Sequence, residues 1–221
     1  MEHVNTLLPQ LKGRRAILIG GGCSVNAYPM RTIPEYMIRV GINGCMLDIR
    51  CDYHLGMDPA FPLRIMDCRT RLKGMFLGMD TGQVIMVKKN MAKETESVVD
   101  YHFSYEDVFG MHNSGAAALY MFRYIFSEIY LIGFDLHRTA GKDYYFEDYF
   151  HSDSLVELYP QFKLIRHQDA KYTYDSEQYR IAGMSSLKKV AAMPGRAPVW
   201  NLAPGSMIDC FPFRNRIEEA A

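Results

Sequence analysis

Neither acidic nor basic residues are in excess in this chain: 25 lysines and arginines offset 25 aspartates and glutamates over 221 residues, so the formal net charge is zero. No global field therefore recruits nucleic acid, and no evident basic patch stands out along the sequence. No apolar run approaches the roughly 18 residues of a membrane span, and the first residues lack the apolar core of a signal peptide. Cysteine is sparse and unpatterned. Cys23, Cys45, Cys51, Cys68 and Cys210 are odd in number and form no C-x-x-C, so the pattern is not that of a disulfide or zinc framework. Scattered small core thiols of this kind suit a reduced, cytoplasmic protein. Internal repeats are absent, as is any linker rich in glycine, serine or proline. The expectation is one domain over residues 1–221, for which a hydrophobic content of 48% supplies a substantial core.

What the chain does contain is an alternation of apolar strands and helices. Val4 to Leu11 reads as a short helix ended by Gly13. Ala16–Ile19 is a buried strand that runs into Gly20, Gly21 and Gly22, then Cys23 and Ser24. A strand ending in glycines turns sharply and can present backbone N–H groups to an anion, because no Cβ blocks the approach. The full dinucleotide fingerprint G-x-G-x-x-G is not met, since the third spaced glycine is lacking. Further strands are expected at 37–42, 53–57, 75–77 and 84–87, with a helix over 60–72. Ser114 is placed to cap a helix running through Ile125. Ile129–Phe134 is a continuous apolar strand of the kind found in parallel sheets covered on both faces. Residues 137–175, rich in aromatics, charges and histidine, read as a small lid insertion. A helix over 176–192, a strand over 198–202 and a closing turn or helix from Pro204 complete the chain. The fold class that follows is α/β: a Rossmann-like parallel sheet with helices on both faces.

In open parallel sheets, ligands bind beyond the carboxyl ends of the strands. The residues expected there are Gly20 to Ser24, Asn43 with Gly44, Asp58 with Pro59, Asp135 with His137, and Asn201 with Pro204-Gly205-Ser206. Each group is small or polar and each follows an apolar run. Individually, Asn43-Gly44 also reads as a plain turn and Asp58 as a helix cap. Their agreement at five strand ends points to one ligand site.

The succession ILIGGGCSV, RVGINGCML, HLGMDPAF, HNSGAAALYMFRYIFSEIYLIGFDLH, GKDYYFED and VWNLAPGSMI resembles the bacterial sialyltransferases of glycosyltransferase family 42. It is similar also to their Rossmann-like relatives, the motility-accessory glycosyltransferases and the archaeal hydroxymethylpterin pyrophosphokinases. The resemblance runs from about residue 15 to residue 210, and the S-G pair with the E-I-Y-L-x-G-x-D segment is its most specific part. It implies a transferase that moves a sugar from a CMP-sugar donor to an acceptor hydroxyl without a required cofactor or metal. The glycine loop and the asparagine after the second strand, which hold phosphate and ribose in that family, fall on Gly21, Gly22, Ser24 and Asn43. A donor-contacting asparagine before proline is replaced by Asp58. The S-G pair near the cytidine and sugar falls on Ser114 and Gly115. Of two tyrosines that hold the donor phosphate, one falls on Tyr144 and the other is His137; Asp135 precedes them at the strand end.

Two positions depart from the family pattern. Its arginine three residues before the serine of S-G is Met111 here. Its general-base histidine aligns without gaps to Tyr172, while a small gap brings His167 into place. Histidine suits proton removal at neutral pH far better than a tyrosine with a pKa near 10. His167 is therefore the expected base, with His151 and His137 behind it, and Tyr144 is expected to stabilise the leaving phosphate. The Tyr144-Tyr145-Phe146 and Tyr149-Phe150 run would exclude water, or form a homo-oligomer contact. Two other classes fit parts of the pattern. A pyrophosphokinase would use Mg²⁺ held by Asp58 and Asp135, assisted by Asp143 and Asp148. A non-catalytic nucleotide-binding protein would tolerate the loss of the arginine and histidine. The acceptor is unidentified by any of these features.

Overall fold

The computed structural model describes residues 1–43, 49–58, 60–70, 81–111, 113–136, 177–194 and 197–218. The expected strand at 75–77 and the insertion at 137–175, with His137, Asp143, Tyr144, Asp148, His151, His167 and Tyr172, lie outside these residues. Among the described residues, eight strands make one sheet: β1 (Glu2–His3), β2 (Arg15–Ile19), β3 (Ile38–Ile42), β4 (Tyr53–Gly56), β5 (Gln83–Val87), β6 (Tyr101–Phe103), β7 (Glu128–Ile132) and β8 (Val199–Asn201). Their order is β1-β6-β5-β4-β3-β2-β7-β8, and every pairing is parallel.

The central strands are apolar on consecutive residues rather than alternate ones. Ala16 to Ile19, Val84 to Val87 and Ile129 to Ile132 are all fully buried. Since neighbouring side chains on a strand point to opposite faces, both faces of the sheet are covered. Among the described residues, five α-helices join the strands: α1 (Leu8–Leu11), α2 (Ser24–Ala27), α3 (Ala60–Thr70), α4 (Ser114–Phe122) and α5 (Glu177–Ala191). Helix α4 lies across β2, β3 and β4 and packs against α5. Its small residues Gly115 to Ala118 are buried against the sheet, which lets the helix backbone come close.

The strand order contains one reversal that matters for function. From β2 the chain steps outward through β3, β4, β5 and β6, then returns to place β7 on the other side of β2. The carboxyl ends of β2 and β7 thus flank the topological switch point, where open α/β sheets keep their ligand crevice. Several expectations need adjustment. The helix over Val4–Leu11 is a 3-10 turn at Val4–Thr6 followed by the single-turn α1. Helix α4 is capped by Asn113, whose side chain accepts the Ala116 N–H, and not by Ser114; it ends at Phe122 instead of Ile125. Asparagine and serine are near-equal caps, and position decided between them. Pro204 to Ser206 form a turn.

Candidate functional site

The glycine loop after β2 is tied to the loop after β7. Gly20 N–H donates to Ile132 O (2.7 Å) and Gly22 N–H to Gly133 O (2.8 Å). The Ser24 N–H donates to Asp135 Oδ2 (2.7 Å), and the Ser24 hydroxyl donates to Asp135 Oδ1 while accepting the Gly133 N–H (3.0 Å). Asp135 is only 2% exposed, so its carboxylate gets its compensation from these donors and not from water. A Cβ on Gly22 would stand 2.6 Å from Asp135 Oδ2, which explains glycine there by the approach of a carboxylate. Among the described residues, the Gly21 amide meets no protein acceptor, and the residue is half-buried at the switch point.

Phe134 links this loop to α4. Its ring would lie 3.1 Å from a Cβ on Gly20 and 2.6 Å from one on Gly115. The glycine of the S-G pair is thus required by an aromatic ring that docks the start of α4 beside the end of β7. Ser114, also buried, accepts the Met57 N–H through its hydroxyl (3.2 Å), which joins the same helix end to the end of β4. Behind Phe134 and Asp135, the turn after β8 acts as a brace. Ser206 Oγ donates to Phe134 O (2.8 Å), and Met207 N–H donates to Asp135 O (3.0 Å). The Asn201 side chain accepts the Ala203 N–H (3.0 Å), so it shapes that turn.

Asn43 stands just past β3 with a left-handed backbone (φ 54°), a conformation asparagine tolerates better than other side chains. Its Oδ1 is buried and has no hydrogen-bond partner. A buried acceptor left unpaired costs about 1–3 kcal/mol, so a donor that fills it is strongly favoured. Asp58, half-buried, follows the end of β4, and its carbonyl accepts the Phe61 N–H (3.0 Å) at the start of α3.

The structure therefore brings Gly21, Gly22, Ser24, Ser114, Gly115 and Asp135 together at the switch point. Asn43 and Asp58 stand at successive strand ends beside them, on a row β4-β3-β2-β7 about 14 Å wide at ~4.8 Å per strand spacing. Several of these residues have structural duties that sequence could not reveal: Ser24 and Asp135 latch two loops, and Gly115 admits Phe134. Two contributors were missed. Phe134 read as the last strand residue, although it follows β7. Asn90 stands three residues past the end of β5 (Gln83–Val87), behind two lysines and not directly at the strand end. Among the described residues, no group of three histidine, cysteine, aspartate or glutamate side chains is arranged to hold a metal ion. No helix among them is long and apolar enough to cross a membrane.

No protein-family model matches the chain, and no curated protein matches it in sequence. Solved structures do share its fold. The monofunctional alpha-2,3-sialyltransferase Cst-I from Campylobacter jejuni superposes with a TM-score of 0.57 at 14% identity, over 91% of this chain and 80% of that one. The sialyltransferase CstII from Campylobacter jejuni, in complex with cytidine-5'-monophosphate, gives a TM-score of 0.56 at 13% identity, over 91% of this chain and 85% of that one. CST-II in complex with a trisaccharide acceptor and CMP gives 0.52 at 14% identity, over 90% and 85% of the two chains. The fold is therefore sialyltransferase-like, an all-parallel α/β sheet.

Proposed function

We propose that this protein is a glycosyltransferase that takes a CMP-linked sugar as donor and passes the sugar to an acceptor hydroxyl. The observation that carries the reading is the switch point itself. A half-buried Gly21 N–H without an acceptor and a buried Asn43 Oδ1 without a donor stand on adjacent strand ends. Neighbours of the same fold are described with CMP bound. In this reading, Gly21 donates to the nucleotide phosphate, Asn43 accepts from a ribose hydroxyl, and Ser114 and Gly115 hold the start of α4 against the nucleotide. Ser24, Gly22 and Asp135 act indirectly by holding the loop.

Transfer breaks the bond between the anomeric carbon and the phosphate oxygen and forms one to the acceptor oxygen. The acceptor proton passes to His167, and the charge left on the phosphate is stabilised by the loop amide, Tyr144 and His137. The Mg²⁺-dependent pyrophosphokinase alternative is less well supported. It needs the Asp135 carboxylate free for a cation, and both oxygens of that carboxylate are engaged by Ser24.

The test is a nucleotide screen by thermal unfolding. CMP at 100 times its dissociation constant is expected to stabilise the protein by ~2.7 kcal/mol, with EDTA making no difference. ATP with Mg²⁺ is expected to have no effect. His167→Ala is expected to abolish transfer of the sugar to an acceptor, with its release of free CMP, while leaving CMP affinity within about twofold. Stabilisation by ATP–Mg²⁺ alone, or by no nucleotide, overturns the proposal.

A further inference from the structure

A second set of hydrogen bonds holds the end of β4. Met57 is gripped at both of its backbone polar groups: its N–H donates to Ser114 Oγ (3.2 Å), and its carbonyl accepts from Asn90 Nδ2 (2.5 Å), just beyond β5. The same Asn90 nitrogen reaches the Tyr105 hydroxyl (3.1 Å), beyond β6. On the other side of Asp58, its own carbonyl accepts the Phe61 N–H (3.0 Å). Asp58 thus hangs between two anchored peptide groups supplied by α3, α4 and the segments after β5 and β6.

Pairing of the strand does not require this. The ladder of β4 is complete at Leu55↔Ile42 on one side and Gly56↔Met86 on the other. Asn90 is spent one residue past the last ladder pair, on the carbonyl that leads into Asp58. Locking a backbone at that place fixes where the next side chain starts, and a misplacement of about 1 Å at such a position costs on the order of 100-fold in rate.

We propose that Asn90 is a positioning residue of this site, which holds Asp58 for contact with a hydroxyl of the bound donor. The inference rests on the transferase reading above. A carboxylate accepts hydrogen bonds and is repelled by phosphate, so Asp58 meets a hydroxyl or N–H group and not the donor's charged oxygens. Asn90 reaches no reacting atom itself and acts through Asp58.

The test compares wild type, Asn90→Ala, Asp58→Ala and the double variant in two measurements. The first is amide hydrogen exchange without ligand: Asn90→Ala is expected to speed exchange at Met57 by about tenfold, with β2 and β7 unchanged. The second is release of CMP from CMP-N-acetylneuraminic acid. There, each single variant is expected to lose about thirtyfold in kcat with CMP affinity within twofold, and the double variant to lose no more than Asp58→Ala alone. Losses that multiply in the double variant mean a merely structural role and overturn the proposal. So does a lower Tm with kcat per folded molecule unchanged, or unaltered exchange at Met57. Wild-type protein that ignores CMP overturns the transferase reading and this role with it. Wild-type turnover with an Asn90→Ala kcat at the wild-type level overturns this role alone.

Discussion

At the scale of single residues, Asp135 decides how the loops of the candidate site are held together. A buried carboxylate is tolerated when hydrogen-bond donors meet both oxygens, and Ser24 supplies one from its backbone and one from its hydroxyl. Removing the acid strands that buried amide and hydroxyl together. Asp135→Ala is therefore expected to cost about 2–4 kcal/mol of stability and to weaken CMP binding at least tenfold, because the loop carrying Gly21 is no longer held. Chemical denaturation and calorimetric titration read the two effects. Ser24→Ala separates brace from ligand contact: a loss of about 1–2 kcal/mol in stability marks a brace, whereas lost CMP affinity at full stability marks a direct contact. Much of this site was legible as residue types at strand ends, since small and polar residues after apolar runs stand out in one dimension. Their partners were not. Nothing local says that Ser24 meets an aspartate 111 residues away or that Phe134 closes on Gly115, because those contacts arise only once β7 returns beside β2.

At the scale of elements, the long buried strands were the readable part. The runs at β2, β3, β4 and β7 are apolar and bounded by glycine, asparagine or aspartate, so their ends fall within a residue or two of expectation. The short strands β1, at the sheet edge, and β6 beside it carry no period, because two or three residues are too few to show one. Tertiary partners hold them. Glu2 N–H donates to Asp100 O (2.8 Å), and His3 Nε2 lies 3.1 Å from Asp107 Oδ2. Opposite His3 on β6, the His102 ring meets the His3 ring edge-on at 5.2 Å, and its Nδ1 is buried without a partner. Burial pushes the His102 pKa below the ordinary histidine value; His3 and Lys88 push the same way, and the Glu2 carbonyl and Asp107 oppose them. The unfolded chain then binds a proton at His102 more readily than the folded one, so stability rises with pH. The contribution is complete above the unfolded value near 6.5 and is lost as pH falls from there towards the depressed folded value. Asp107, whose pKa is lowered by its bonds to Ser104 and by His3 despite a burial effect in the other direction, keeps its charge through that window. The expected outcome is a Tm that falls between pH 7 and pH 5, with a shallower fall in His102→Asn. Parallel pH profiles for the two proteins remove His102 from the account.

At the scale of the whole molecule, the two edges of the sheet divide the work. The carboxyl edge carries the candidate site. The amino edge carries a charged network that fastens the C-terminal segment: Arg15 Nε donates to Glu128 Oε2 (2.7 Å), Trp200 Nε1 to Glu128 Oε1 (2.7 Å), and Arg15 to Tyr130 Oη (2.9 Å) and to the Glu218 carbonyl (2.6 Å). Arg214 stacks 3.3 Å from the centre of the Trp200 ring and pairs with Glu218 (2.8 Å). Residues around Phe213 then bridge to Asn201 and cover the free side of β8, the edge at which an open sheet would otherwise invite another strand. Glu128 is the acceptor on which two cations and an indole converge. Glu128→Leu leaves Arg15 half-buried without its carboxylate, at a cost of about 2–3 kcal/mol, a lowering of Tm by several degrees in a chain of this size. Yet Glu128 opens β7 and Asp135 follows its far end, so roughly 16 Å of strand separates the two regions. CMP affinity and kcat per folded molecule are therefore expected to stay at wild-type values in Glu128→Leu, while Asp135→Ala loses both. If Glu128→Leu also weakens CMP binding, the sheet transmits strain from one edge to the other. The candidate site would then depend on how the C-terminal segment is fastened.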